Sequence, residues 1–237
     1  MWERVTAGLS GAMVSRRDGI YRKESGDPSA DLVGEGERLV WLREQGLPAA
    51  EVLECRPGLL VTREVPGRSW ADPWPPESLP RIIDALADLT RALHALPIAG
   101  CPFDRRLAVT IPEALSADVD LDDLDEARRG WTRDDLAREL LATRPPDEDE
   151  DLAVCHGDLC APNVLFDPAT CQVTGLIDTP RLGVADRWAD LAIATRSMID
   201  ELNPQYGAWA ADRFLERYGV APDPAKLTFY RLLDEFF

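Results

Sequence analysis

Pro66 and Gly67 divide this chain into two stretches of different periodicity, and that break constrains the fold more than any other feature. Before it, residues 5–9, 13–16 and 19–23 read as strands separated by Gly, Ser and Asp turn residues. Residues 32–45 read as a helix whose apolar side is Leu39, Leu42 and neighbouring Trp41, stopped by Gly46. Residues 51–55 and 59–65 read as a β-hairpin turned by Pro57-Gly58. After the break, Leu79, Ile82, Ile83, Leu86, Leu89, Leu93 and Leu96 recur at helical spacing until Pro97 ends the run. Short strands follow at 152–155, 164–166 and 173–177, then helices at 187–200, 209–218 and 224–236. The pattern predicts an α+β chain of two lobes. Residues 1–66 would form a small antiparallel-sheet lobe with one helix, and residues 67–237 a larger, mainly helical lobe. A hinge at Pro66-Gly67 places the natural cleft near residues 63–67.

Charge narrows the class of partner. The 237 residues carry 43 Asp+Glu against 26 Lys+Arg, a formal net charge of −17. Such a field repels nucleic acid and anionic membrane and attracts cations. The acids cluster at Asp118, Asp120, Asp122, Asp123, Asp125 and Glu126, and again over residues 147–151. A solvated face accounts for such runs, and so does a polycationic substrate. Lys23 and Lys226 are the two lysines, which singles each of them out. Five cysteines in no CxxC pair, and a start without an apolar core segment, predict free thiols in a cytoplasmic protein. No apolar run reaches the ~20 residues a bilayer requires.

Chemistry concentrates in His156-Gly157-Asp158-Leu159-Cys160-Ala161-Pro162-Asn163, followed by Gly175-Leu176-Ile177-Asp178. Asp158 and Asn163 lie on a loop between two predicted strands, and Asp178 ends a strand that can return beside them. Two carboxylates and an amide oxygen are hard ligands that suit Mg²⁺ and leave positions for phosphate oxygens. Phosphoryl transfer needs these parts, together with a carboxylate that receives the proton of the attacking hydroxyl. Asp-x4-Asn with a later Ile-Asp follows the catalytic-loop and metal-Asp pattern of protein kinases, although Gly157 stands where such a loop has arginine. A plain β-turn shaped by Asp, Pro and Asn is the competing reading.

The segments VCHGDLCAPNVLFDPATCQVTGLID, RLGVADRWADLAIATR and FYRLLDEFF resemble the aminoglycoside 3'-phosphotransferases. The likeness extends through ALHALPIAGCPFDRRL, LDDLDEARRGW and EGERLVWLREQGLP, so it spans nearly the whole chain and thins over the first thirty residues. The resemblance implies a protein-kinase-like fold, ATP or GTP as phosphate donor, Mg²⁺, and an aminoglycoside acceptor such as kanamycin. It implies Asp158 as catalytic base, with Asn163 and Asp178 holding the metal. Lys23 would bind phosphate and Glu35 would be its ion-pair partner. Adenine would bond the backbone near Arg63 and Val65, and Ser10-Gly11-Ala12 would form the loop over the triphosphate. On the substrate side it implies Asp125 and Glu126, Asp234 and Glu235, and the terminal carboxylate of Phe237. Carboxylates are natural partners for ammonium groups. Arg196 matches an arginine near the substrate pocket. Arg181, Asp186 and Asp190 match loop and structural supports, with Asp190 bracing the catalytic loop. His156 would orient that loop, and His94 would be structural. A monomer or weak dimer is expected.

Three departures stand out. Thr179-Pro180-Arg181 replaces the usual glycine before the arginine, and Pro180 fixes φ and removes an N–H. Ser197 stands where relatives can carry an acid, and the first lobe is short. A kinase for another hydroxylated substrate and a non-catalytic drug-sequestering protein are the alternatives. A Cys155, His156 and Cys160 zinc site fits no common ligand spacing.

Overall fold

The computed structural model describes residues 1–5, 12–27 and 30–237. Its chain forms two compact units, one of Met1–Ala85 with Ala161–Arg181, the other of Leu86–Cys160 with Leu182–Phe237. These units do not follow the 66/67 boundary suggested by periodicity, because Arg68–Ser69, the first half of the Leu79–His94 helix and the 161–181 hairpin belong with the first sheet.

In the first unit, β1 (Glu3–Val5), β2 (Met13–Arg17), β3 (Ile20–Glu24), β4 (Val52–Arg56) and β5 (Leu59–Arg63) make an antiparallel sheet in the order β1-β2-β3-β5-β4. The first strand includes Glu3–Val5, where Arg4 and Val5 pair with Ser15 and Val14, and residues 6–9 of the predicted 5–9 strand lie outside the described residues. The predicted β4–β5 hairpin is present, with Arg56 opposite Leu59 across Pro57-Gly58.

Helix α1 (Leu32–Glu44) starts where the Asp31 carboxylate accepts the Gly34 N–H at 2.9 Å. Leu32, Leu39 and Leu42 are buried as expected, and Glu35 is buried with them. A Cβ on Gly36 would stand 2.6 Å from Cys55 Sγ, so α1 lies too close to β4 for any side chain there. Gly36→Ala is expected to lower stability by about 1–3 kcal/mol, because overpacking outweighs the alanine's better helix propensity. A denaturant titration that found no loss would refute that close fit.

A small second sheet joins β6 (Arg68–Ser69), β8 (Val164–Phe166) and β9 (Val173–Leu176). Leu176 ties it to the first sheet's loops by donating its N–H to the Pro48 carbonyl and accepting the Ala50 N–H, at 2.9 and 3.0 Å. The 161–181 hairpin is thereby fixed to the sheet that carries Lys23.

The second unit holds the C-terminal half of α2 (Leu79–His94), α3 (Leu107–Ser116), α4 (Arg133–Thr143), the antiparallel pair β7 (Leu152–Cys155) and β10 (Gly183–Asp186), and helices α5 (Trp188–Ile199), α6 (Ala208–Tyr218) and α7 (Pro224–Asp234). The sequence reading missed α3, α4, β6 and β10. For α4 the signal was there: Thr132 and Asp135 form a reciprocal capping box, and Leu136 and Leu140 recur four apart and are buried. Asp223 caps α7 by accepting the Ala225 and Lys226 N–H groups, and Pro224 fills its first helical position. Among the described residues no helix is long and apolar enough to cross a membrane.

Candidate active site

In the first unit three charged groups converge. Lys23 Nζ, on β3, lies 2.9 Å from Glu35 Oε2 on α1 and 2.9 Å from Asp178 Oδ1 beyond β9. Alternation along β3 directs the Lys23 side chain to the face that α1 covers. Burial pushes the Lys23 ammonium down, but Glu35 and Asp178 more than offset this and hold it above its ordinary value. Burial raises the Glu35 carboxyl, Asp178 adds to the rise, and Lys23 opposes it. Two carboxylates thus share one fixed cation, and the Asp178 side chain remains 34% exposed.

Asp178 has φ +56°, a left-handed conformation rare for a side-chain-bearing residue. Thr179 beside it is fully buried. Asn163 closes the 3-10 turn Ala161–Asn163 and is buried. Its carbonyl accepts the Ile177 N–H at 3.0 Å, and Val164 pairs with Leu176, so Asn163 and Asp178 occupy one end of the β8–β9 hairpin. The Ser69 hydroxyl donates to the Ala161 carbonyl at 2.8 Å and holds the turn. An amide oxygen and a carboxylate on paired strands are a donor set of the kind Mg²⁺ accepts.

Val65 packs against this hairpin, with its Cγ1 2.7 Å from where a Cβ on Gly175 would stand. Arg63 ends β5, and its exposed side chain donates to Glu51 Oε2 at 2.6 Å. Ser10 and Gly11 lie outside the described residues.

The second unit carries Asp158, half-buried after a sharp turn at Gly157, whose φ of +82° favours glycine. Asp190, fully buried on α5, holds this turn, for it accepts the His156 and Gly157 N–H groups, each at 2.8 Å. His94 Nε2 lies 3.1 Å from Asp190 Oδ2, and its Nδ1 lies 2.8 Å from the Tyr218 hydroxyl. A carboxylate only accepts, so Nε2 donates to Asp190. Burial raises the Asp190 carboxyl, yet His94 and the loop amides win and hold it below its ordinary value. Burial pushes the Tyr218 hydroxyl up to about 12, which keeps its proton in place. His156 is buried and accepts the Asp158 N–H at Nδ1, 3.3 Å away. Asp186 is fully buried and meets Lys226 Nζ at 2.7 Å, so the second lysine is a structural strap. Arg181 is half-buried at the end of the first unit.

Three of the acids assigned to substrate, Asp125, Asp234 and Glu235, are already partnered. Arg196 donates to Asp234 Oδ2 at 2.5 Å and lies 3.6 Å from Asp125 Oδ2. Arg128, which the sequence reading passed over, is buried, and donates to Glu235 Oε1 at 2.9 Å and to the Thr228 carbonyl at 3.2 Å. The Asp125 N–H donates to Glu235 Oε2 at 3.3 Å. Burial, with Asp125 close by, raises the Glu235 carboxyl in spite of Arg128. Glu126 is exposed at the start of a 3-10 turn, and the Phe237 ring is half-exposed under the Arg105 guanidinium, 5.6 Å away. Ser197 is buried, with its carbonyl accepting from Asn203 at 2.9 Å.

Residues 2–230 match the phosphotransferase enzyme family. A relative from Streptomyces fradiae, named aminoglycoside 3'-phosphotransferase, is 48% identical over 256 residues, covering 100% of this chain and 95% of its own. The crystal structure of an aminoglycoside-3'-phosphotransferase of type VIII superposes with a TM-score of 0.90 at 48% identity, covering 100% of this chain and 94% of that one. An aminoglycoside phosphotransferase from Streptomyces rimosus, in complex with ADP and streptomycin, superposes with a TM-score of 0.85 at 33% identity, covering 99% of this chain and 92% of that one.

Proposed function

This chain belongs to the phosphotransferase enzyme family, and from that premise we propose that it transfers the γ-phosphate of ATP to the 3'-hydroxyl of an aminoglycoside such as kanamycin. The observation that carries the reading is the Glu35–Lys23–Asp178 triplet beside Asn163, with Asp158 on a braced loop five residues before Asn163 in the chain. Charge on three phosphates needs a fixed cation, and Lys23 is held by two carboxylates so that its ammonium stays put. Asn163 and Asp178 would hold Mg²⁺, which when bound offsets phosphate charge as a Lewis acid. Asp158 accepts the proton of the attacking sugar hydroxyl and aims its lone pair at phosphorus. In this reading, backbone groups near Arg63 and Val65 take the adenine, residues 1–66 bind the nucleotide, and residues 67–237 carry the catalytic loop and the substrate site. Asp125, Glu126, Asp234, Glu235 and the Phe237 carboxylate receive ammonium groups, with Arg181 and Arg196 beside them. Phosphate adds negative charge to a drug whose amines bind ribosomal RNA, so modification confers resistance on the cytoplasm that holds the enzyme.

The test is an ADP-release assay with Mg-ATP and kanamycin, with mass spectrometry of the drug. Kanamycin-dependent turnover and one added phosphate are expected. Kanamycin binding by calorimetry without turnover would instead make this a drug-sequestering protein. The streptomycin-bound relative favours streptomycin as a second acceptor to run in parallel.

A further inference from the structure

We infer that Arg196 is an internal cation that occupies the acidic clamp of the free protein and gives up its place to a substrate ammonium group. This rests on the phosphotransferase reading and adds how the acidic site selects among cations.

The clamp is not an open negative surface. Asp125, Asp234 and Glu235 stand against Arg128 and Arg196, with Arg231 close enough to feel the charge of Arg196, Asp125 and Arg128. An incoming ammonium group therefore meets carboxylates whose charge is already spent, and must share or replace a guanidinium to gain much.

The three arginines differ in what else holds them. Arg128 is 9% exposed at its side chain and is anchored by the Thr228 carbonyl as well as by Glu235. Arg231 donates to the Ala192 carbonyl at 3.3 Å and to the Thr195 hydroxyl at 3.0 Å, and pairs with no carboxylate among the described residues. Arg196 has the opposite character, for its partners are the Asp234 and Asp125 carboxylates and its side chain is 23% exposed. Displacing Arg128 or Arg231 would give up hydrogen bonds to the Thr228 and Ala192 carbonyls and the Thr195 hydroxyl that an ammonium at the carboxylates does not replace. Displacing Arg196 strands nothing once an ammonium takes over its two carboxylates. Arg196 sits in the last turn of α5, where a cation swung out to water still faces the helix's negative end.

Exchange also sorts ligands. A monocation recovers only the pairing that Arg196 already makes. A polyamine delivers one ammonium to Asp125 and Asp234 while its others bind elsewhere, so the exchange is intramolecular after the first contact. The site would thus take amino sugars with several ammonium groups over small monocations.

Calorimetry with kanamycin on the full chain tests this. Arg196→Gln removes the competing charge and is expected to bind kanamycin about fivefold tighter at low salt, with a steeper loss of affinity as salt rises. Arg128→Gln is expected to weaken binding, since it releases Glu235 and Asp125 from their fixed partner. Unchanged or weaker binding to a folded Arg196→Gln protein overturns the inference. If that variant does not fold, the wild type decides: saturating kanamycin should shift the Arg196 Nε–H resonance and leave that of Arg128 in place, and an unmoved Arg196 signal overturns the inference. Wild-type protein that neither binds nor phosphorylates kanamycin removes the phosphotransferase reading and this inference with it. Wild-type turnover without the Arg196 effects removes this inference alone.

Discussion

Asp158→Ala is expected to lower kcat for kanamycin phosphorylation by about 10³-fold while kanamycin affinity changes by less than about threefold. The expectation follows from the residue's place. Asp158 is half-buried beyond a glycine turn, with its N–H bonded to His156 and the two preceding amides bonded to Asp190. Its backbone is therefore held by others, and removing the carboxylate leaves the loop standing. The drug-binding acids assigned here lie elsewhere in the chain, on the turn at Asp125 and the end of α7, so ground-state affinity has no reason to fall. Asp158→Asn keeps the shape and removes the proton acceptor, and should be nearly as slow. Single-turnover kinetics with kanamycin calorimetry read the two quantities separately. A loss confined to KM would show that Asp158 binds substrate and is not the base.

Asp190→Ala should be the most damaging substitution for the fold. It orphans the His156 and Gly157 N–H groups and the His94 ring N–H around a carboxylate that is itself fully buried. The expected loss is about 3 kcal/mol, which in a chain of this size lowers Tm by about 6–12 °C. Activity should fall as well, because the same two amides set the direction of Asp158. The pH dependence has a definite sign. The folded Asp190 carboxyl lies below its unfolded value of about 3.9, so its contribution is fully present above about pH 4 and is lost as pH falls through the folded value. The stability gap between wild type and Asp190→Ala should therefore narrow on acidification. Denaturant titrations at neutral pH and below about pH 4 check this, and a gap that widens in acid would contradict the assignment of Asp190 as an ionised brace.

Much of the candidate site was legible because phosphoryl transfer, the reaction proposed for it, demands particular atoms in a particular order. Asn163 and Asp178 stand at one end of a single hairpin, so their spacing along the chain nearly states their spacing in space. Lys23 was conspicuous as one of two lysines, whereas Glu35 came only from the family resemblance, since one glutamate on a helix carries no local signal. Lys226 was equally conspicuous, yet it straps Asp186, a pairing across forty residues that no local pattern announces. Arg128 shows the same limit. In sequence it is one arginine among many in an acidic segment, and in the fold it is a buried partner of Glu235, 107 residues away. Helix α3 was missed because Pro112 lies inside it, where a local reading expects a break.

The sequence by itself determined the class of fold and the motif from which the catalytic loop is proposed. Strand alternation, helical spacing and turn residues act over a few positions, and the catalytic motif is itself local. Tertiary structure alone decided the charge state of the substrate clamp. Counting residues predicts a strongly negative site from Asp125, Asp234 and Glu235, whereas the folded chain brings Arg128 and Arg196 onto them. Formal charge sums over the whole chain, but the potential that a ligand meets depends on which charges lie within a few ångströms, and only packing sets those distances.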